Sequence, residues 1–359
     1  MGVADFSCLT LWSLLLGIMT HGIVAFNMLS NDNIQIFKCN SYWGQNSYGA
    51  INPDKTAHWQ KTLSYYCMDN VIDTFPIAFL VDSYAGGNLP SIDLANICNS
   101  GNANYFPGTD LLDCSFLASD IQMCQSAGKA VTISLGGGTG NIQFQNDSQA
   151  AAYAQTIWNL FLGGKSKTRP FGSAILDGID MDIEGGSQTG YVSFLTALRK
   201  HMNRGKKKYY ITAAPQCPYP DAYIGNTLNV VEFDAVVYNN YCNLRHYNNR
   251  KDWDFATWDD WANSVSPNRD VKVYIGAPAS SGAGSGYVSP KRITSIIQQT
   301  QSNYSSFGGV MLWDVSDAYA NHRYDRAVKQ ALRSDVDLLN KRSRAQYLSE
   351  THDITHDED

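Results

Sequence analysis

Short apolar runs alternate with helical patterns along most of this 359-residue chain. Helical patterns carry apolar residues at spacings of three and four, whereas the candidate strands are brief and rich in Val, Ile, Tyr and Phe. The candidate strands are Ile34–Phe37, Phe75–Leu80, Ala130–Leu135, Ile175–Ile183, Tyr209–Ala213, Phe233–Tyr238, Val271–Gly276 and Val310–Trp313. The helical patterns lie at Leu111–Ser126, Tyr153–Phe161, Tyr191–Met202, Phe255–Val265, Pro290–Ser302 and Tyr324–Leu339. Eight candidate strands that alternate with helical patterns predict an α/β fold, a (β/α)8 barrel, as one domain over residues 26–340. A doubly wound open sheet is the alternative, because a count of elements does not show closure.

The fourth candidate strand carries the most informative run, Asp177–Glu184. Within it Asp180, Asp182 and Glu184 alternate with three large apolar residues. Side chains on a strand alternate between faces, so the three carboxyl groups share one face. Crowded carboxylates repel one another, and at least one pKa should rise. Such an arrangement is typical of a site where a proton is transferred, so the run predicts a catalytic general acid.

The same run also indicates where the site lies. Gly185 and Gly186 follow Glu184 directly, so the strand gives way to a loop there. In a barrel of this kind the catalytic side chains lie at the C-terminal ends of the strands. We therefore expect Glu184 at the mouth and Asp180 deeper. A calcium loop would need polar and turning residues between its ligands. Ile and Met occupy those places, so we expect no metal and no cofactor.

Composition excludes one class of partner. The formal net charge is −6 and the basic residues form no long run. The sequence therefore lacks the clustered positive charge that is typical of nucleic-acid-binding proteins. Aromatic residues make up 12% of the chain, which suits carbohydrate or protein surfaces without deciding between them. The glycines Gly136–Gly138 lack the lysine and spacing of a P-loop, and a tight strand-end turn beside the cleft is expected instead.

The two chain termini are expected to lie outside the barrel. The apolar block Leu9–Met19 has the length of a signal-peptide core and is too short for a membrane span. We predict a signal peptide at residues 1–25, secretion, and no membrane association after cleavage. A buried N-terminal helix and an uncleaved anchor are the alternatives. The polar tail at residues 341–359 is predicted to be disordered.

The acidic run matches in all four positions the DxxDxDxE signature of glycoside hydrolase family 18. The chain most closely resembles the class III chitinases of plants and fungi, and the likeness spans about residues 40–315. The matching segments are Tyr42–Ser47, Ile77–Leu80, Ser134–Gly138, Ala213–Pro218, Gly284–Tyr287 and Gly308–Trp313.

The resemblance implies a secreted endochitinase that cleaves β-1,4 bonds between N-acetylglucosamine units with retention of configuration. Such enzymes use the acetamido oxygen of the substrate as the nucleophile. By motif position, Glu184 protonates the glycosidic oxygen and Asp182 orients the acetamido group. Asp180 shares a proton with Asp182. Asp177 and Gly178 are structural members of the motif.

The resemblance also implies substrate contacts. Trp313 forms the floor on which the sugar ring lies, since an indole face suits the apolar face of a pyranose. Gln216 is a further candidate for substrate binding. Tyr42 and Gln45 either line the cleft or merely pack beside it. The expected partner is chitin or its oligosaccharides, bound by a monomer.

The sixth strand departs from the family pattern, which has Gln-Phe-Tyr-Asn-Asn at its end, with the tyrosine holding the acetamido carbonyl. Here the segment is three residues short. Counting from Phe233 selects Tyr241 as this tyrosine, whereas matching Tyr-Asn-Asn selects Tyr238. We prefer Tyr238, because Cys242 then keeps its expected distance from Cys217. A register error of one residue would turn the tyrosine away from the cleft.

The first strand departs as well, because Lys38, Cys39 and Asn40 stand where an apolar run is usual. The family alignment implies the disulfides Cys67–Cys124, Cys98–Cys114 and Cys217–Cys242. This pairing leaves Cys39 free.

Two other functions remain open. A non-catalytic chitin-binding or inhibitor-like relative on the same barrel is the main alternative. Action on a related acetamido-sugar polymer is the second. The shortened sixth strand favours the first of these, whereas the complete acidic motif favours an enzyme.

Overall fold

The computed structural model describes residues 38–238, 244–247 and 253–333. The strands of its single sheet are β1 (Lys38–Ser41), β2 (Thr74–Asp82), β3 (Ser91–Ile92), β4 (Ala130–Gly137), β5 (Gly178–Ile183), β6 (Tyr210–Ala213), β7 (Ala235–Tyr238), β8 (Lys272–Pro278) and β9 (Phe307–Trp313). All neighbours pair in parallel except the short β3, which lies antiparallel to β2.

The sheet closes on itself. The strand β1 pairs in parallel with β9 along its length and with β2 through Asn40 and Thr74. Leaving β3 aside, the eight strands form a complete ring, so the (β/α)8 barrel is confirmed and the open sheet is excluded. The predicted first strand Ile34–Phe37 lies outside the described residues, and the barrel strand begins at Lys38. Closure places the C-terminal ends of all eight strands on one rim.

Helices cover the outside of the barrel. The α-helices are α1 (Ser47–Ile51), α2 (Leu63–Cys67), α3 (Ala118–Ser126), α4 (Asp147–Phe161), α5 (Tyr191–Asn203), α6 (Gly225–Leu228), α7 (Phe255–Ser264), α8 (Pro290–Asn303) and α9 (Val315–Ala320), and residues 324–333 are also helical. Short 3-10 turns lie at Thr56–His58, Gly86–Asn88, Ser115–Leu117 and Leu244–His246.

The predicted helix Leu111–Ser126 begins later than expected, with α3 at Ala118. Leu112 pairs with Tyr105 as an antiparallel bridge, which keeps the chain extended there. By contrast, α8 begins at Pro290 as predicted, because the Ser289 side chain accepts a hydrogen bond from the Arg292 N–H and caps the first turn.

The apolar side chains form two groups. The larger one lies between the sheet and the helices, and it includes Ile179, Met181 and Ile183 of β5. The smaller one lies inside the barrel and includes Tyr42, Phe79, Val237, Met311 and their neighbours. The strand β5 is therefore apolar on its outer face, which leaves its inner face for the carboxyl groups.

Two disulfides are present as predicted, Cys67–Cys124 between α2 and α3 and Cys98–Cys114 in the loop that follows β3. Cys39 is a buried free thiol, which was also expected. The third predicted bridge involves Cys242, which lies outside the described residues. Within the described part of the chain, no helix has the length and apolar character needed to cross a membrane.

We predict that Cys67→Ser/Cys124→Ser destabilises the protein more than Cys98→Ser/Cys114→Ser. The bridges span 57 and 16 residues. Loop-closure entropy gives about 4 kcal/mol for the longer loop and about 3 kcal/mol for the shorter one. Urea unfolding of both double variants measures the order, with Cys39→Ala as the unbridged control. A larger loss from the shorter loop would contradict the prediction.

Candidate active site

The inner face of β5 carries carboxyl groups of graded burial. Asp180 is fully buried, Asp182 is 4% exposed, and Glu184, just past the strand end, is half-buried. This order confirms the expected depth of Asp180 and the position of Glu184 at the mouth. At the start of the strand, a Cβ on Gly178 would lie 2.0 Å from the Tyr210 carbonyl oxygen. Only glycine therefore allows β5 and β6 to approach closely at this point.

Asp180 is surrounded by hydroxyl donors from three other strand regions. Its Oδ2 accepts hydrogen bonds from Ser134 Oγ at 2.7 Å and Tyr42 Oη at 3.0 Å. Its Oδ1 accepts one from Thr212 Oγ1 at 2.6 Å. Burial raises the pKa of Asp180, and the three hydroxyls offset part of that rise. The carboxylate form is thus the one that its surroundings satisfy.

Asp182 has a different environment. Burial raises its pKa well above the usual range, and the charges of Asp180 and Glu184 raise it further. Its Oδ1 is buried and has no hydrogen-bond partner among the described residues. An unpaired buried oxygen beside a cleft is available to a donor from a bound molecule.

Glu184 lies against the turn that follows β4. Burial raises the pKa of Glu184. A Cβ on Gly138 would lie 3.8 Å from Glu184 Oε2, and one on Gly136, at φ 109°, would lie 2.2 Å from the Asp182 carbonyl oxygen. Gly136 and Gly137 end β4, and the turn expected beside the cleft begins at Gly138. Because Gly138 has no side chain, the space next to Glu184 stays open.

The cleft has a volume of about 410 Å³ and lies at the C-terminal rim of the barrel. Its described lining includes Tyr42, Gln45, Phe79, Asp93, Gly138, Asp182, Glu184, Val237, Met311 and Trp313. Trp313 is half-buried and its ring stacks on Phe79 at 5.8 Å between centroids. The structure therefore brings together Glu184, Asp182 and Trp313 around one space.

Tyr42 and Gln45 both line this cleft. The Tyr42 hydroxyl reaches down to Asp180, as described above. The Gln45 amide is fixed by donating to the carbonyl oxygens of Ala78 at 2.9 Å and Asp93 at 3.2 Å. Of the two open interpretations, lining the cleft is the one that the geometry favours.

Tyr238, on the predicted sixth strand (β7), does not face the cleft as we expected. Tyr238 is buried outside the barrel, among Trp253, Phe255 and Trp258, and its hydroxyl accepts a hydrogen bond from the Asp254 N–H at 2.9 Å. Its neighbour Val237 lines the cleft instead. The choice of Tyr238 as a cleft residue was therefore wrong, because alternation along β7 turns it to the opposite face.

The other tyrosine candidate, Tyr241, lies outside the described residues. Gln216 is half-buried, its backbone N–H donates to Asp221 Oδ2 at 2.7 Å, and it is absent from the described lining of the cleft. Its role in substrate binding stays a prediction.

Asp177 lies at the opposite end of β5 and forms structural contacts. Its carboxylate accepts hydrogen bonds from the Val131 N–H at 2.8 Å and the Gln125 amide at 2.9 Å, and it forms an ion pair with Lys207 at 2.7 Å. These contacts tie β5 to β4 and to the residues before β6. Among the described residues, no group of three His, Cys, Asp or Glu side chains could hold a metal ion.

The sequence did not reveal Thr212 as a site residue. The strands β4, β5 and β6 pair so that Ser134 and Thr212 lie directly on either side of Asp180. A threonine in an apolar strand does not by itself indicate a site residue. Its contact with Asp180 can be predicted only when the register between β5 and β6 is known.

We predict that Thr212→Val lowers stability more at pH 7 than at pH 4. Burial raises the pKa of Asp180 in the folded protein above 3.8, so the folded state binds the proton more tightly than the unfolded state. Ionisation of Asp180 therefore opposes folding as the pH rises above 3.8. Loss of the Thr212 hydroxyl raises this pKa further and costs about 1–3 kcal/mol only where Asp180 is ionised. Thermal unfolding at both pH values measures the difference. Thr300→Val is the matched control, because that buried hydroxyl donates to the Ile296 carbonyl oxygen. An equal loss at both pH values for Thr212→Val would contradict the prediction.

Comparison with known proteins agrees with this geometry. The model of "Glycosyl hydrolases family 18" matches residues 20–281. Chitinase 2 of Rhizopus oligosporus is 46% identical over 284 residues, which are 78% of this chain and 49% of that protein. The chain thus spans about half the length of that relative. A class III chitinase of Arthroderma benhamiae is 40% identical over 77% of this chain and 88% of its own.

Among solved structures, the ICChI chitinase from Ipomoea carnea superimposes with a TM-score of 0.67 at 31% identity. It covers 82% of this chain and 99% of its own length. The family match takes in well over half of the sequence and includes the whole acidic run on β5. This chain belongs to family 18 of the glycosyl hydrolases.

Proposed function

We propose that this protein is a secreted endochitinase that hydrolyses β-1,4 bonds between N-acetylglucosamine units with retention of configuration. The observation that carries the proposal is the graded burial of three carboxyl groups on one inner strand face beneath an aromatic-floored cleft. The names of the family relatives point to the same activity.

Glu184 is suited to the role of general acid. Burial raises its pKa, so its proton is retained to higher pH than on an exposed glutamate. Glu184 and Trp313 line the same cleft, which supports a binding mode with the glycosidic oxygen beside Glu184 and the sugar ring on Trp313. Once the leaving sugar departs, the same carboxylate accepts a proton from the incoming water.

Asp182 and Asp180 are suited to orienting the acetamido group and stabilising the positive charge. The unpartnered Oδ1 of Asp182 can accept the acetamido N–H of the sugar, which turns the acetamido oxygen towards the anomeric carbon. The positive oxazolinium ion that forms is then stabilised by the nearby negative charge. Asp180, with its three hydroxyl donors, can keep that charge while it shares a proton with Asp182.

Location and assembly belong to the proposal as well. The two described disulfides fit an oxidising compartment such as the extracellular space or the cell wall. The signal peptide at residues 1–25 would direct the chain there. We propose that it acts on chitin or chitin oligosaccharides as a monomer.

A non-catalytic chitin-binding relative is the second candidate. One observation favours it: among the described residues, β7 presents Val237 to the cleft and turns Tyr238 away. The acid and both aspartates remain in place, which favours the enzyme. Tight binding of N-acetylglucosamine oligomers, without cleavage at any pH, would establish this alternative.

We predict that Glu184→Gln lowers kcat on N-acetylglucosamine oligomers by about 10²–10⁴-fold, because general acid catalysis contributes that much. Binding of the oligomers should persist, since the cleft keeps its shape. The measurement is initial rate by chromatography, with proton NMR of the first products. The β-anomer should appear first if configuration is retained.

The matched control for that variant is Glu232→Gln, because Glu232 is exposed and lies before β7 at the other end of the barrel. Its turnover should equal that of the wild type. Unchanged turnover in Glu184→Gln would refute the assignment of Glu184 as the acid.

We also predict that Trp313→Ala raises KM by roughly tenfold, while Trp313→Phe raises it less. A stacked ring contributes about 0.5–1.5 kcal/mol beyond its buried area, and phenylalanine keeps part of that face. Steady-state kinetics on a soluble oligomer measure both variants. If both leave KM unchanged, Trp313 does not form the floor of the sugar site.

A further inference from the structure

Four buried polar atoms in the barrel interior make no hydrogen bond of normal geometry within the described residues, although the side chains of Asn40 and Tyr274 lie close enough to interact with each other. They are Asn40 Oδ1, Thr74 Oγ1, Thr132 Oγ1 and Tyr274 Oη, from four different strands. Each of these residues is at most 2% exposed. A buried hydroxyl or amide oxygen without a partner is costly, and four in one place require an explanation.

All four residues line one enclosed cavity. Its volume is about 10 Å³, and the rest of its described lining is Pro76, Thr212, Ala235, Val237 and Met311. A cavity of this size has room for one water molecule, which needs two to four polar partners. The lining includes no charged side chain, so a bound cation would lack a compensating charge.

The cavity lies one side-chain layer below the catalytic carboxyl groups. Asn40 and Thr132 precede Tyr42 and Ser134 by two residues, so each pair shares the inner face of its strand. Tyr42 and Ser134 both donate to Asp180. Thr212 lines the cavity and also donates to Asp180.

We propose that this cavity is a binding site for a single internal water molecule, held by Asn40, Thr74, Thr132 and Tyr274. Asn40 Oδ1 can only accept a hydrogen bond, so the water donates to it. The three hydroxyls can donate or accept, which completes the four hydrogen bonds of the water. The site explains why β1 carries the polar Asn40 in the barrel interior, where an apolar residue is expected. This inference does not depend on the proposed enzymatic function.

The first test is a crystal structure of the unmodified protein at about 1.5 Å resolution or better. We expect an ordered water within hydrogen-bond distance, about 2.7–3.2 Å, of at least three of the four atoms. An empty cavity, or Thr74 and Thr132 hydroxyls bonded directly to protein atoms in place of a water, would overturn the proposal.

The second test is the sign of the stability change in Thr132→Val, which keeps the shape of the side chain. If a water is bound, the variant removes one of its hydrogen bonds and Tm should fall by about 2–4 °C. If the cavity is dry, the variant removes an unsatisfied hydroxyl and Tm should rise. Thr227→Val is the matched control, because Thr227 Oγ1 on α6 is also buried without a partner and does not line this cavity. Its Tm should stay the same or rise.

A double-mutant cycle adds an independent readout. Thr132 and Tyr274 lie on β4 and β8, which do not pair with each other. Coupling between Thr132→Val and Tyr274→Phe should therefore pass through the water, and the combined fall in Tm should be smaller than the sum of the two single changes. Strictly additive changes would overturn the shared site, even if each variant alone were destabilising.

Discussion

The hydrogen bonding of Asp180 in the barrel interior is the constraint on which the site depends. A carboxyl group with no solvent exposure is accepted because Tyr42, Ser134 and Thr212 donate to it from three separate strand regions. Burial raises the pKa of Asp182, which lies nearer the rim, and the charges of Asp180 and Glu184 raise it further. From the barrel interior to the rim, the site thus passes from Asp180, which accepts three hydrogen bonds, to Asp182, whose Oδ1 has no partner among the described residues. Glu184 follows at the rim.

Close backbone approach makes this order possible. Gly178 lets β5 lie against β6, and Gly136 lets the end of β4 lie against Asp182, where a side chain would collide with a carbonyl oxygen in either case. Below this level the proposed water would satisfy a second polar layer. The composition of the barrel interior therefore changes along its axis. Phe79, Met311 and Trp313 surround the cleft at the C-terminal rim, and the polar residues of the cavity lie below the carboxyl groups.

Much of the fold and site could be predicted because the signals were local. Short apolar runs between helical patterns located seven barrel strands to within a few residues, and the alternation along β5 placed Asp180, Asp182 and Glu184 on one face. The tyrosine of β7 could not be placed in the same way. The strand is short, and a shift of one residue exchanges Tyr238 for Val237 at the cleft.

The sequence by itself determined the strand–helix order, the acidic motif and the two cysteine pairs Cys67–Cys124 and Cys98–Cys114, through local pattern and likeness to a family. Only the tertiary structure decided that the sheet closes, that Thr212 faces Asp180, and that four polar atoms meet in one cavity. These features depend on register between strands distant in sequence. No local pattern reports that register, because it is set by how the whole ring packs.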